Sequence, residues 1–539
     1  MLATTLSTIT LLSLPLGTIA SSGFFDPRNF EEDLNLPAFH IVPYPYNWSN
    51  DPNGPMYDPV HDKYHLFYQY QTPRVWGHVV SDDLINWKQL PVAISNDNWY
   101  DAEGVYSGSA TILGDEEQTP VLSISSSDNT EIFLAVPKNR TDPDLIEWVL
   151  PDSNPIFVTD ARDPTEMMKT SDGSLRMLTG TSEGSEIWEC DGCDGQLEKV
   201  LDKENWSKLG VAHEKAESES YWECPDLFLL PPSEDDDEGK DGEDRVFVSK
   251  YSPVGWTGDH YFTGTYDEAT FQFTPFDVES KMYDSNTAFY ASKTFLDNRD
   301  SNKPRRVLWG WMVMWGPWEH SEGGWTGIQG VPRVVEADPT GREVLNYPIP
   351  ELDLLRIESS KVAVSNFEGD KAYNTLKGID GKDFNGRFAD VVMTFGGQGS
   401  GENCTVLFQF DGISTTDGVL AVSIPENTKT ARVLSDSYII EAFFDGGKST
   451  LSQQKEITKA EQSRIAFSRE CKFEKVEAWE MKPMEFLVAE SSHIFFYVVA
   501  CFVAAVITVF LLCVAKAKAT NENSSTKVTK GKVYHLVTF

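Results

Sequence analysis

The sequence predicts an all-β protein, a propeller of roughly five sheets followed by a second β-module, and three observations carry that prediction. From about residue 38 to about residue 347, short strand-like apolar runs alternate with Gly, Pro, Asn and Asp, with almost no sustained 3.6-residue period. Within this region an acidic turn feeding an aromatic recurs. It reads Ser81-Asp82-Asp83-Leu84-Ile85-Asn86-Trp87, then Thr141-Asp142-Pro143-Asp144-Leu145-Ile146-Glu147-Trp148. It fades to Leu201-Asp202-Lys203-Glu204-Asn205-Trp206 and to Tyr266-Asp267-Glu268-Ala269-Thr270-Phe271. The aromatics fall about 60 residues apart, the size of a four-stranded propeller blade with generous loops. Beyond a short helical connector at Pro350-Glu351-Leu352-Asp353-Leu354-Leu355-Arg356, strand-like runs resume. Val406-Leu407-Phe408-Gln409-Phe410 and Tyr438-Ile439-Ile440-Glu441-Ala442-Phe443-Phe444 predict a two-sheet sandwich.

At 539 residues the chain exceeds one compact core. The expected division is a propeller over 38–347, a linker over 348–360 and a β-sandwich over 361–482. A formal net charge of -38 argues against nucleic acid or an anionic membrane as partner of the main body, and a neutral substrate fits that surface better. The acidic run from Ser233 to Asp244 misses the calcium-loop spacing and reads as a solvated loop.

Two apolar stretches flank this body. Residues 9–20 have the length of a signal-peptide core, with Thr18-Ile19-Ala20 as a cleavage site, so 1–20 is expected to be a signal peptide. Residues 494–515 carry no charge and, at ~1.5 Å per residue, are long enough to cross a bilayer as a helix. Lys516, Lys518, Lys527, Lys530 and Lys532 follow, against the single acid Glu522, so the 516–539 tail is expected to be cytoplasmic. This predicts a single-pass type I membrane protein of the secretory pathway, its large domain extracellular or in an acidic lumen. The sequons at Asn139, Asn205 and Asn403 suit that route, whereas a fourth at Asn47 abuts the Asp51 turn. Cys404 and Cys471 are candidates for a disulfide. Cys190 and Cys193 read as a local disulfide rather than half a zinc site, because no partner pair accompanies them. Cys224 is left over.

Three acids stand next to or near a proline that restricts their backbone. Asp51 lies in Asn50-Asp51-Pro52-Asn53-Gly54, which predicts a rigid corner between two strands. Asp163 lies in Ala161-Arg162-Asp163-Pro164. Glu223 lies in Tyr221-Trp222-Glu223-Cys224-Pro225. Their spacing puts them on different propeller units, whose equivalent strand ends converge on a central channel. Each acid has an ordinary explanation alone, as a turn residue, a local ion pair with Arg162 or a rim acid; three together point to acid–base chemistry.

The motifs Trp48-Ser49-Asn50-Asp51-Pro52-Asn53-Gly54, Tyr106-Ser107-Gly108-Ser109, Arg162-Asp163-Pro164 and Trp222-Glu223-Cys224-Pro225 give the chain a resemblance to glycoside hydrolase family 32. This is the family of acid invertases and fructan hydrolases, and the plant-type members are the most similar. Weaker matches are Trp76-Gly77-His78, Leu134-Ala135-Val136-Pro137, the Arg306–Trp311 and Gly327–Arg333 runs, and Asp436-Ser437 with Glu441 and Gly446-Gly447. The resemblance covers about 38 to 482 and implies a five-bladed β-propeller followed by a β-sandwich.

It implies a retaining mechanism on terminal β-D-fructofuranosyl units of sucrose or β-fructans. Asp51 is then the nucleophile, Glu223 the acid/base and Asp163 the transition-state stabiliser, with Asp51 and Glu223 titrating apart and Glu223 the raised member. Asn50, Gln69, Trp76, Ser107 and Arg162 are implied as sugar-contacting or acid-orienting residues. No metal or organic cofactor is called for, and the partner is a small neutral sugar. Ser49 stands where the family commonly has Met. The Trp309-Gly310-Trp311 motif lacks the Asp that often follows it in sucrose-cleaving plant relatives, so sucrose and fructans both stay open. Trp315, Trp318 and Trp325 are candidates to stack on a leaving group, or to pack a blade. A fructosyltransferase and a non-catalytic fructan-binding membrane receptor are the competing readings.

Overall fold

The computed structural model describes residues 24–114, 116–126, 131–231, 245–313, 324–368, 371–396, 403–410, 419–454 and 463–489. Chain contacts set residues Asp26–Val488 apart as one compact unit. The expected signal peptide, membrane span, Lys-rich tail and acidic run at 233–244 lie outside the described residues. Among the described residues no helix is long and apolar enough to cross a membrane.

Five antiparallel sheets follow one another along the chain. Their first strands or strand entries line a common axis. Ser49–Asp58 opens the first, Val105–Leu113 the second, Met168–Lys169 the third, Trp222–Leu229 the fourth and Phe289–Asp297 the fifth. Ser49–Asp58 touches both Val105–Leu113 and Phe289–Asp297, while Trp222–Leu229 touches Phe289–Asp297 and Leu175–Gly180. The second and third sheets are tied by Met167 N donating to Thr111 Oγ1 at 2.8 Å and Ser123 Oγ donating to the Thr165 carbonyl at 3.1 Å. The ring therefore closes as a five-sheet, propeller-like body.

The sequence repeat marks one place in this body. Trp87, Trp148 and Trp206 begin the outer strands Trp87–Ile94, Trp148–Val149 and Trp206–Glu214, and Phe271 directly precedes Gln272–Pro275. The acid in each copy caps the preceding turn: Asp83 accepts from Ile85 N and Asn86 N, Asp142 from Asp144 N, Asp202 from Glu204 N and Asp267 from Ala269 N.

Residues Pro350–Leu355 form the expected connector as a 3-10 helix. Two sheets follow, one of six strands and one of four. Val391, Val433 and Val476 from the first share a core with Val406, Phe408, Ile465 and Phe467 from the second, so the sheets pack face to face. Cys404 and Cys471 are bonded beside this core with their Cα atoms 4.5 Å apart, and Cys190 is bonded to Cys193. The chain then returns to the ring, where Phe486, Leu487 and Val488 pair in parallel with Trp87, Lys88 and Gln89 of the first sheet.

A buried polar cluster joins ring and sandwich. His40, ahead of the first sheet, bonds Asp436 at 2.7 Å and Glu441 at 3.1 Å. Arg333 of the fifth sheet donates to Glu441 at 2.7 Å and approaches Asp284 at 3.3 Å. Asp436 also accepts from the Ala38 and Phe39 amides.

Candidate active site

Four of the five sheets enter the axis through an irregularity. The register slips between Ser49 and Pro52, between Val105 and Gly108, between Glu223 and Asp226, and between Tyr290 and Lys293. Bulges of this kind bend a strand and re-aim its side chains. Cys224 and Ala291 carry φ of 44° and 55°, and Asp163, which precedes the short third strand, carries φ of 61°. Three left-handed non-glycine residues thus lie where the side chains of the site meet.

Asp51 does not sit at a corner between strands, as its turn-like sequence suggests. It lies inside the continuous strand Ser49–Asp58, at the bulge. Pro52 is tolerated because this strand pairs on one side only, with Lys63–Tyr70, and no second ladder needs its missing N–H. Ser49, in place of the family's common Met, is buried and donates to the Gly327 carbonyl at 3.0 Å.

A chain of side-chain hydrogen bonds holds the Asp51 carboxyl. Ser107 Oγ donates to its Oδ2 at 2.6 Å and Asn50 Nδ2 to its Oδ1 at 2.9 Å. Asn50 also donates to Gln69 at 2.8 Å, and Gln69 to Ser107 at 2.6 Å. Asn50, Gln69 and Ser107 are all buried, so in this structure they orient the acid. Burial pushes the Asp51 carboxyl up to about 6; the Ser107 hydrogen bond opposes the rise, and the charges of Asp163 and Glu223 add to it.

Asp163 is buried across from it. Its Oδ2 accepts from Cys224 N at 2.9 Å, and its own amide donates to Ser125 Oγ at 3.1 Å. Glu223 receives two short donors, Arg162 Nη2 at 2.5 Å and Tyr290 Oη at 2.5 Å. The surroundings of the two carboxyls differ. Asp51 accepts from uncharged donors, while Glu223 faces a guanidinium and a phenol. Arg162 also stacks 4.4 Å from the ring centre of Tyr221 and lies 3.7 Å from Asp163, so it serves both acids.

The structure adds residues that sequence reasoning passed over. The buried thiol of Cys224, left over in the disulfide count, lies 3.6 Å from Asp51 Oδ2 and 3.6 Å from Asp163 Oδ2. Tyr290 belongs to Phe289-Tyr290-Ala291-Ser292-Lys293, the entry of the fifth sheet, which contributes no acid and so gave no signal. Beneath the site two buried lysines gather the strand ends. Lys293 Nζ donates to the carbonyls of Asp163, Pro164 and Pro225, and Lys250 Nζ to those of Cys224 and Ser292.

Two of the aromatic candidates are buried. Trp76 is 0% exposed, tilted against Phe67, with its Nε1 donating to the Tyr106 carbonyl at 2.8 Å. It packs the first sheet and offers no ring face to a sugar, because Val75–Ser81 is an interior strand of that sheet. Trp325 is 1% exposed and packs against Tyr438, with its Nε1 on Asp33 at 2.9 Å. Trp315 and Trp318 lie outside the described residues.

Residues 40–348 match the family described as Glycosyl hydrolases family 32 N-terminal domain. The chain belongs to glycosyl hydrolase family 32. Among family members, an acid beta-fructofuranosidase of Phaseolus vulgaris is 36% identical over 355 residues, which cover 60% of this chain and 52% of that protein. A fructan 6-exohydrolase of Beta vulgaris is 30% identical over 544 residues, covering 84% of this chain and 88% of that protein. The chain thus spans about half the length of the acid beta-fructofuranosidases it matches, and most of the exohydrolase. The crystal structure of fructan 1-exohydrolase IIa from Cichorium intybus superposes with a TM-score of 0.71 at 26% identity, over 85% of this chain and 100% of that one. The family 32 fold and the sheet order described above agree.

Proposed function

We propose that this chain is a retaining glycoside hydrolase that releases terminal β-D-fructofuranosyl units from sucrose or β-fructans. The observation that carries the reading is the meeting of three acids from three sheets: Asp51 and Asp163 share the Cys224 thiol, and Glu223, held by Arg162 and Tyr290, is near enough for its charge to act on Asp51. Relatives named for acid beta-fructofuranosidase and for fructan exohydrolase activity support both substrate types, and the Cichorium intybus fructan 1-exohydrolase variant crystallised with 1-kestose supports the fructan one.

In this reading Asp51, ionised, attacks the anomeric carbon as Glu223 gives its proton to the leaving oxygen. Water then attacks the fructosyl–Asp51 ester while Glu223 takes that water's proton, which restores both groups. Asp163, immobilised by Ser125 and Cys224, holds fructose hydroxyls and faces the oxocarbenium-like charge. Retention calls for the Asp51 and Glu223 carboxyls to stand ~5–5.5 Å apart. The propeller over 38–347, the sandwich over 361–482 and an anchor at 494–515 in a secretory membrane complete the proposal.

Incubating the purified protein with sucrose, 1-kestose, inulin and levan at mildly acidic pH tests it. Free fructose is the expected product. Longer oligosaccharides would mean a fructosyltransferase, and binding without release a receptor. Glu223→Gln is expected to lower kcat by about 10²–10⁴-fold, and Asp51→Asn to abolish turnover, both with the fold intact. A near-normal rate in either variant refutes the assignment. Protease treatment of sealed vesicles checks the anchor: the tail alone should be cut when the cytoplasmic side faces out.

A further inference from the structure

Arg74 ends the short connection between strands Lys63–Tyr70 and Val75–Ser81. Its backbone is pinned to the neighbouring sheet, where its carbonyl accepts from Val105 N at 2.9 Å. Gly104 permits that approach: with φ of +131°, a Cβ there would lie 3.1 Å from the Arg74 amide nitrogen. The guanidinium is clamped between two rings, 4.8 Å from the centre of Trp48 and 5.0 Å from that of Tyr106.

Both rings belong to the site. Trp48 leads directly into the Asn50–Asp51 bulge, and Tyr106 precedes Ser107, whose hydroxyl holds Asp51. The Arg74 charge is near enough to Asp51 to oppose the rise of its carboxyl. Yet Arg74 forms no ion pair within 4.0 Å among the described residues, in a chain with 83 acidic residues. Its Nε is buried and has no hydrogen-bond partner. Arg162, the other arginine at this site, is by contrast bonded to Glu223.

A buried donor without an acceptor is costly, and native structures leave few of them. Two rings rather than a carboxylate hold the planar fork, so a group bound against Asp51 can accept from Arg74 and donate to Asp51. Hydroxyls do both. The fork is rigid and already oriented, as a flexible ammonium would not be.

We propose that Arg74 is a substrate-contacting, specificity-determining residue whose guanidinium donates hydrogen bonds to sugar hydroxyls of the fructoside held against Asp51. The inference rests on reading this cleft as the fructoside-binding site.

Calorimetric titration of fructose into wild type, Arg74→Gln and Arg74→Lys tests it, alongside kcat/KM on sucrose and 1-kestose. Both variants are expected to bind fructose about tenfold more weakly, equivalent to ~1.4 kcal/mol, and to lose at least as much in kcat/KM, with melting temperatures unchanged. Arg74→Lys keeps the charge but not the fork, and guards against a glutamine variant that does not fold. Wild-type affinity in Arg74→Lys, or in a folded Arg74→Gln, overturns the proposal. So does a wild-type protein that binds none of fructose, sucrose and 1-kestose. A wild type that binds fructose through Arg74 but cleaves no fructoside would leave this inference standing and bring down the hydrolase reading.

Discussion

Asp51 carries a carboxyl that burial lifts from an ordinary 3.8 to about 6. In the proposed mechanism Asp51 attacks as the ionised form, so kcat/KM is expected to fall as pH drops through about 6. Asp163 is one of the charges that raise this group, so Asp163→Asn should move the acid limb to lower pH even as it slows turnover. A pH–rate profile of the two proteins checks the direction; a limb that stays in place would assign it to another group. The same shift has a stability consequence. The folded protein holds a proton on Asp51 between about pH 4 and 6 where the unfolded chain does not, so stability falls as pH rises through that window. Asp51→Asn removes the buried charge and should stabilise the fold by about 1–3 kcal/mol at pH 7, with the gain vanishing near pH 4. Denaturant titrations at the two pH values measure it.

At the scale of elements, the site depends on strand entries that are bent and then tied from below. Lys293 is fully buried, and burial lowers its ammonium pKa. It nevertheless bonds three carbonyls on the entries that carry Asp163 and Glu223. Lys293→Met would leave those carbonyls without their donor, with an expected cost of roughly 2–4 kcal/mol and a loss of kcat as the acids drift apart. Unchanged stability together with unchanged kcat would mean that the bulges alone hold the geometry. Such ties were not legible in the sequence, because Lys293 stands in an apolar run with nothing nearby to name its partners. The outer hairpins were legible, since an acidic turn followed by an aromatic is a local device. The fifth sheet lacks that aromatic after its turn at Asp338, and there the repeat could not be read.

Over the whole molecule, ring and sandwich meet at the His40, Asp436, Glu441 and Arg333 cluster. Burial alone would lower the His40 pKa, but hydrogen bonds and charge from Asp436 and Glu441 outweigh it and hold the ring at about 9. Glu441 is likewise drawn down to about 2, burial notwithstanding, by Arg333 and His40. A histidine raised on folding contributes stability that is full below about pH 6.5 and lost as pH rises through about 9, at most ~3 kcal/mol. His40→Gln should flatten the stability profile across that window. Glu441→Gln leaves Arg333 buried without its nearest acid and should cost about 3–5 kcal/mol. Both are read by chemical denaturation, and a Glu441→Gln protein as stable as wild type would show that Asp284 suffices for Arg333.

The sequence by itself determined the strand-rich class and the blade-sized repeat, and it singled out the three acids proposed to act together. Turn chemistry and proline restriction act over a few residues and leave their mark in the order of the chain. Only the tertiary structure decided which groups surround those acids. The Tyr290 phenol, the Arg74 guanidinium and the two buried lysines reach the site from other segments, the Cys224 thiol bridges to Asp51 from beside Glu223, and Trp76 is buried in the first sheet. Their placement follows from how the sheets close into a ring, and no local pattern of residues encodes that closure.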